Sequence, residues 1–293
     1  MRIGLSPFAT TRSGSFAVAD AAFAGGIDTF WLGEGLLEMA EFSRWSGGME
    51  PLTWLAYLAG RYRGARVGLG ASVLPLRDVQ WLAKQSSTLD NLTEGNHILA
   101  VAPGFWENEF AYRGVDFESR GKLFGTLVEG LQAAFDGREF ENESLSLPAG
   151  ARLSPTPYTP GGPPLWLAGG PATLRRALRM GLPFQARSEL PSELAPITKN
   201  WFDSGGGTFG LRVAITVVED QPGGSAEHLA GSRIVGPASY VADQLAAYAE
   251  IGISDLSIIP GNDDAGSLAT VTALVSEVIP QLGSIVDPSS IPA

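Results

Sequence analysis

The sequence predicts an α/β fold, a (β/α)8 TIM barrel that takes up residues 1–293 as one domain, with an insertion after the fourth βα unit. Three observations predict it. Short apolar β-type runs alternate with helical stretches along the chain. The runs are apolar throughout rather than alternating, as strands of a parallel sheet covered by helices are. Eight such units fit within 293 residues, a size common for a closed eight-stranded barrel. An open doubly wound sheet is the alternative assembly of the same units.

The units follow in order. Arg2–Leu5 (RIGL) precedes the Ala-rich stretch Phe16–Ala24, which Gly25-Gly26 closes. Asp28–Leu32 (DTFWL) leads through a long loop to a helix starting near Pro51. Val67–Val73 (VGLGASV) precedes Asp78–Leu92, where Val79, Leu82, Ala83, Leu89 and Leu92 approximate a helical stripe and Asp78 has the chemistry of an N-cap. Ile98–Ala102 (ILAVA) precedes helical stretches at Trp106–Tyr112 and Ser119–Phe135. Leu165–Ala168 precedes Ala172–Met180, and Leu182–Ala186 precedes Glu193–Phe202. Leu211–Val218 (LRVAITVV) precedes Tyr240–Ile251, and Leu256–Ile259 precedes Leu268–Leu282. Residues 137–164, rich in Pro, Gly, Ser and Glu, break the rhythm and read as the insertion, with room for a small hairpin. Residues 283–293 read as a loose C-terminal tail.

Composition removes several function classes. A net charge of −11, without any run of Lys or Arg, disfavours nucleic acid or an anionic membrane as partner. The absence of cysteine excludes disulfides, thiolate metal sites and a Cys nucleophile. His97 and His228 alone cannot build a His-rich metal site, so no metal is expected. No signal peptide and no continuous apolar run of about 20 residues is evident, which points to a cytoplasmic protein without a membrane span.

Active sites of such barrels lie at the C-terminal ends of the strands. LWLAGGPAT (Leu165–Thr173) is the most suggestive end: two glycines let a ligand approach the backbone, and Pro171 suits the first turn of a helix. Free amides around Gly169, Gly170, Pro171, Ala172 and Thr173 could hold a phosphate, although an ordinary tight βα turn has the same sequence. Phe8, Phe105, Trp106 and Phe184 are placed to wall a pocket for a flat ring or an organic substrate, or to pack the core. Glu34, at the end of the second strand, is the one candidate for a proton-transferring acid. His97 precedes the fourth strand, at the wrong end of the barrel, and reads as structural.

Three blocks together resemble the bacterial-luciferase-like superfamily of flavin- and deazaflavin-dependent oxidoreductases: VGLGASVLPLRDVQWLAKQSSTLDNLTEGNHILAVAPGFWENEFAYRGVDFESRG (67–121), PPLWLAGGPATLRRALRMG (163–181) and VGPASYVADQLAAYAEIGISDLSII (235–259). The resemblance implies a barrel with an insertion after its fourth unit. It implies a cofactor ring against Ser72 and Val73, with a cis peptide between them, and a phosphate at Gly169–Thr173. It places Asn108 and Glu109 on the substrate side, and it suggests a homodimer. Coenzyme F420, a deazaflavin, is the expected cofactor, serving hydride transfer to or from a small organic substrate. FMN with monooxygenase chemistry is the alternative, as is a non-catalytic relative that binds cofactor. Two departures stand out: Glu34-Gly35 replaces the family's acid–histidine pair, and Gly181-Leu182-Pro183-Phe184 replaces its Gly-Asp-Gly-Trp.

Overall fold

The computed structural model describes residues 1–37, 48–138, 141, 142, 145, 146, 152–228 and 231–286. Eight parallel strands close into a barrel: β1 (Arg2–Leu5), β2 (Thr29–Leu32), β3 (Arg66–Val73), β4 (His97–Ala102), β5 (Leu165–Ala168), β6 (Phe184–Ala186), β7 (Phe209–Val217) and β8 (Asp255–Pro260). Each pairs with the next, and β8 returns to β1 with Arg2 opposite Asp255 and Leu5 opposite Ile258. The helices lie outside: α1 (Arg12–Ala24), α2 (Pro51–Arg61), α3 (Val79–Leu92), α4 (Glu107–Arg113), α5 (Arg120–Phe135), α6 (Pro171–Met180), α7 (Pro191–Asp203), α8 (Ala238–Glu250) and α9 (Asp264–Ala273). Side-chain caps start several of them. Asp78 accepts from the Trp81 amide at 2.9 Å as expected, and Thr11 does the same for Gly14 at 3.0 Å.

The two faces of the strands make two separate cores. Outward residues such as Leu5, Phe30, Val67, Leu69, Leu167, Val213 and Ile258 pack under the helices. Inward, Trp31, Ile98, Ala100 and Trp166 form a small cluster of their own. The indoles of Trp31 and Trp166 lie 5.7 Å apart and plug the barrel below its mouth. They fit because glycines face them. A Cβ on Gly4, Gly68 or Gly210 would fall 2.7, 2.2 or 2.5 Å from an indole atom, closer than van der Waals contact allows.

Several elements differ from the sequence reading. Gly231–Gly236 adds a further strand, parallel to the upper half of β7 and antiparallel to Gly224–His228. A Gly-bounded run containing Ser and Arg lacked the apolar continuity of the other strands. Within the stretch read as the insertion, by contrast, the antiparallel pairing of Glu141–Asn142 with Leu145–Ser146 is in line with the small hairpin expected there. The tail begins later than expected. Gly283–Ile285 forms a 3-10 turn, Val286 is buried, and the Met1 ammonium donates to the Ile285 carbonyl at 2.7 Å. Residues 287–293 lie outside the described ones. The helical run Asp264–Ile285 is long and apolar enough, by length and composition, to cross a bilayer. Here it is the last barrel helix, and Val271, Leu274 and Val278 are buried in the core beneath it.

Candidate functional site

β3 shapes the mouth. Its pairing with β4 slips between Leu69 and Ser72, so the strand bulges there. The Gly70–Ala71 peptide within the bulge is cis. This corrects the expectation for Ser72–Val73: those two residues are already back in register with Val101 and Ala102, and the irregularity sits two residues earlier. Gly70 and Ala71 therefore present backbone to the space above the plug.

That space is a cavity of about 330 Å³, lined by the bulge, Glu34, Val73, Phe105, Trp106, Glu109, Gly169, Gly170, Gln185 and Arg212. At its far side β5 ends in Gly169 and Gly170, and α6 begins. Gly169 has φ +146°, a region open to glycine, and a Cβ there would come within 3.0 Å of Thr173 Oγ1. A Cβ on Gly170 meets nothing within 4 Å and would point into open space. Pro171 has no N–H to offer, and the Thr173 amide turns back to the Gly170 carbonyl at 3.0 Å. Gly170 and Ala172 thus stand at the positive end of the helix, where free backbone amides suit an anion.

The mouth residues named from sequence are not brought together as one set. Phe105 and Trp106 line the large cavity, whereas Phe8 lines a smaller one of about 150 Å³ near β1 and β2. Asn108 is exposed on α4 and turned away; Glu109 takes the inward position and accepts from the Leu36 amide at 2.7 Å. Phe184 belongs to the helix-facing core, its ring centroid 5.4 Å from Phe209 and 6.0 Å from Trp201. Strand parity explains the correction: Gln185, the next residue, takes the inward position. Ser72 is fully buried behind the bulge.

Glu34 lines the cavity. Its carboxylate accepts from Ser72 Oγ at 2.6 Å and the Val73 amide at 2.8 Å, and it is ion-paired with Arg77. Arg77 also bridges to Glu50 at 2.7 Å, and Glu50 caps α2 through the Thr53 amide. Burial opposes the Arg77 charge, yet the two carboxylates outweigh it and raise its pKa. Glu34 is thus an acceptor that ties β2 to the β3 bulge. Glu34→Gln is expected to destabilise the fold by roughly 2 kcal/mol, the scale of a charge-assisted hydrogen bond. It should leave the shape of any pH–rate profile unchanged. Urea unfolding checks the first, and a pH titration of turnover checks the second.

Sequence reasoning missed Arg212. It rises from β7 into the barrel interior, where Nη1 donates to the Gly70 carbonyl at 2.6 Å. Its Nε is buried without a partner, and among the described residues it forms no ion pair. Burial lowers its pKa to about 10, so it stays cationic at neutral pH. Gly33 makes room for it, since a Cβ there would lie 2.1 Å from Nη1. Arg212 walls both the large and the small cavity. In the run LRVAITVV it looks like an ordinary polar interruption; only the glycines opposite it, far away in sequence, show that it has a place inside.

Comparison with known proteins agrees with this geometry. Residues 13–197 match the model of a family described as luciferase-like monooxygenase. A phthiodiolone/phenolphthiodiolone dimycocerosates ketoreductase of Mycobacterium sp. (strain JLS) is 31% identical over 195 residues, covering 59% of this chain and 51% of that protein. The chain spans about half the length of the curated relatives it matches. Among solved structures, an F420-dependent secondary alcohol dehydrogenase in complex with an F420–acetone adduct superposes with a TM-score of 0.78 at 14% identity, covering 96% of this chain and 98% of that one. The oxygenating constituent of 3,6-diketocamphane monooxygenase from Pseudomonas putida, in complex with FMN, does so with a TM-score of 0.73 at 13% identity, covering 96% and 98%. At such identities these structures attest the barrel, and the family match supplies the rest: this chain belongs to the luciferase-like monooxygenase family.

Proposed function

We propose that the protein is an oxidoreductase that binds coenzyme F420 in the large cavity and serves hydride transfer to or from a small organic substrate at the barrel mouth. The observation that carries the proposal is the cavity's construction. Two of its walls, Gly70–Ala71 and Gly169–Gly170, are nearly bare backbone, and a cation stands in a third. Side-chain-free walls suit a flat ring that must be approached closely, and the start of α6 suits its phosphate. When bound, the cofactor supplies the two-electron chemistry.

The chain's residues bind and orient. Gly170 and Ala172 offer amides to the phosphate. Phe105 and Trp106 cover the apolar side, and Glu34 holds the β3 bulge in shape through Ser72 and Val73. Arg212 brings positive charge toward the reacting region. A proton-transfer role for Glu34 is not part of this proposal. The preference for F420 over FMN rests on the 31% identical relative, whose name describes carbonyl reduction. The same cavity would admit FMN, and the FMN-bound relative supports that second reading. A cytoplasmic homodimer completes the proposal.

The experiment is a side-by-side titration of the purified protein with F420 and FMN, followed by visible absorbance and fluorescence. F420 is expected to bind at least about 10-fold more tightly, a difference of about 1.4 kcal/mol. Tighter FMN binding would turn the reading to a monooxygenase, and binding of neither would leave a non-catalytic relative.

A further inference from the structure

The smaller cavity, between the β1–α1 loop, the end of β2 and α2, has Trp54, Arg12 and Arg212 among its lining residues. Trp54 lines it, and its indole Nε1–H is buried without an acceptor. Arg212 lines it too, with its Nε–H in the same condition. Arg12 stands at the rim, 4.7 Å over the Phe16 ring that stacks on Trp54.

In a protein with 31 acidic and 20 basic residues, the described wall of this cavity holds two arginines and no carboxylate. Asp264, below the loop, turns its oxygens to the amides and hydroxyls of Thr10 and Thr11. Buried donors left unpaired are costly, and a buried cation without a counter-charge more so. A ligand that accepts would complete them.

We propose that this cavity is a carboxylate-binding subsite, so that the substrate is a small organic acid whose carboxylate lies between Arg212 and the Trp54 Nε1–H. A carboxylate accepts only, which matches the two guanidinium groups and the indole N–H that the lining residues carry, and a guanidinium suits its geometry. The volume, about 150 Å³, is that of a cavity able to hold benzene, so the acid's body is compact. Arg212 also walls the large cavity. The acid's neighbouring carbon would therefore sit at the boundary with the cofactor site; this last point rests on the proposed function, whereas the subsite itself does not.

The test uses benzoate and its neutral counterpart benzyl alcohol as probes, at fixed salt and without cofactor. Calorimetry gives the affinities, and the indole N–H resonances of ¹⁵N-labelled protein give the location; Trp54→Phe assigns the Trp54 signal. Benzoate should bind at least about 10-fold more tightly than benzyl alcohol and should shift the Trp54 signal. Arg212→Met should lower benzoate affinity by about 10- to 100-fold and erase the preference. Trp54→Phe should lower it by several-fold, keeping the ring while losing the donor. Arg212→Met removes a charge without an ion-pair partner among the described residues, together with its hydrogen bond to the Gly70 carbonyl; should it fail to fold, Trp54→Phe carries the test. Equal affinity for the two probes, no benzoate binding, or benzoate binding undiminished in the variants would overturn the subsite. Benzoate binding in a protein that takes neither F420 nor FMN would keep the subsite and refute the redox function.

Discussion

Replacing Gly170 by valine is expected to lower affinity for a phosphate-bearing flavin or deazaflavin by at least about 100-fold, as the loss of two hydrogen bonds to a charged group would. The fold should hardly notice. Gly170 has φ −89° and ψ −168°, extended backbone that a β-branched residue adopts readily, and its Cβ would enter empty space. The cost is that of a poorer N-cap for α6, about 1 kcal/mol. Gly169→Ala should behave in the opposite way, because its positive φ and the nearby Thr173 hydroxyl oppose any side chain; it should lose roughly 1–3 kcal/mol of stability. Thermal unfolding and cofactor titration on both variants separate the two effects. Unchanged cofactor affinity in Gly170→Val would remove the phosphate from this turn.

The second large effect concerns acid. His97 is fully buried at the base of β4. Its Nδ1 lies 3.1 Å from the Val67 carbonyl, which can only accept, so Nδ1 carries the proton and Nε2 accepts from the Ser86 hydroxyl at 2.8 Å. Burial pushes its pKa down to about 4, against weaker opposing effects from the Val67 carbonyl and the Asp90 charge. In the unfolded chain the group titrates near its ordinary 6.5. The unfolded state therefore takes up a proton first as pH falls. Stability should be whole above pH 6.5 and should decline by about 3 kcal/mol between pH 6.5 and 4. Asp264, held low by the Thr10 and Thr11 hydrogen bonds, weakens the fold only below that window. Urea unfolding across the range measures the slope, and His97→Gln, which cannot titrate, should flatten it. An equally steep decline in the variant would assign it elsewhere.

The barrel was legible because its strands announce themselves. Ile98–Val101 is apolar on both faces, since Leu99 and Val101 meet helices while Ile98 and Ala100 meet the plug, and no surface strand needs that. What could not be read was the partner of each inward residue. Glu34 was recognisable as an inward carboxylate, but Arg77, which decides its role, lies 43 residues on. Phe184 was placed on the wrong face because a strand of three residues gives no alternation from which to fix parity. The phosphate turn was visible as a glycine pair before a proline; which of the two glycines is needed for the fold and which for a ligand follows from φ and neighbouring atoms alone.

The glycine-fitted plug constrains how this barrel can change over generations. Trp31 meets Gly4, Gly68 and Gly70, and Trp166 meets Gly210. A lone alanine at Gly68 would strike the Trp31 ring, and a lone loss of either indole would open a void in the barrel axis. Sequence drift there is blocked one substitution at a time and proceeds only through compensated pairs, a smaller side chain for Trp31 together with a larger one at Gly68. The loops above are fitted this way at Gly33, against Arg212, and at Gly104, against Val73 and Phe110, but positions such as Gly170, where a Cβ meets nothing within 4 Å, can change without moving a neighbour. Novelty in this lineage is therefore expected to enter from the mouth, while the base is inherited as a unit.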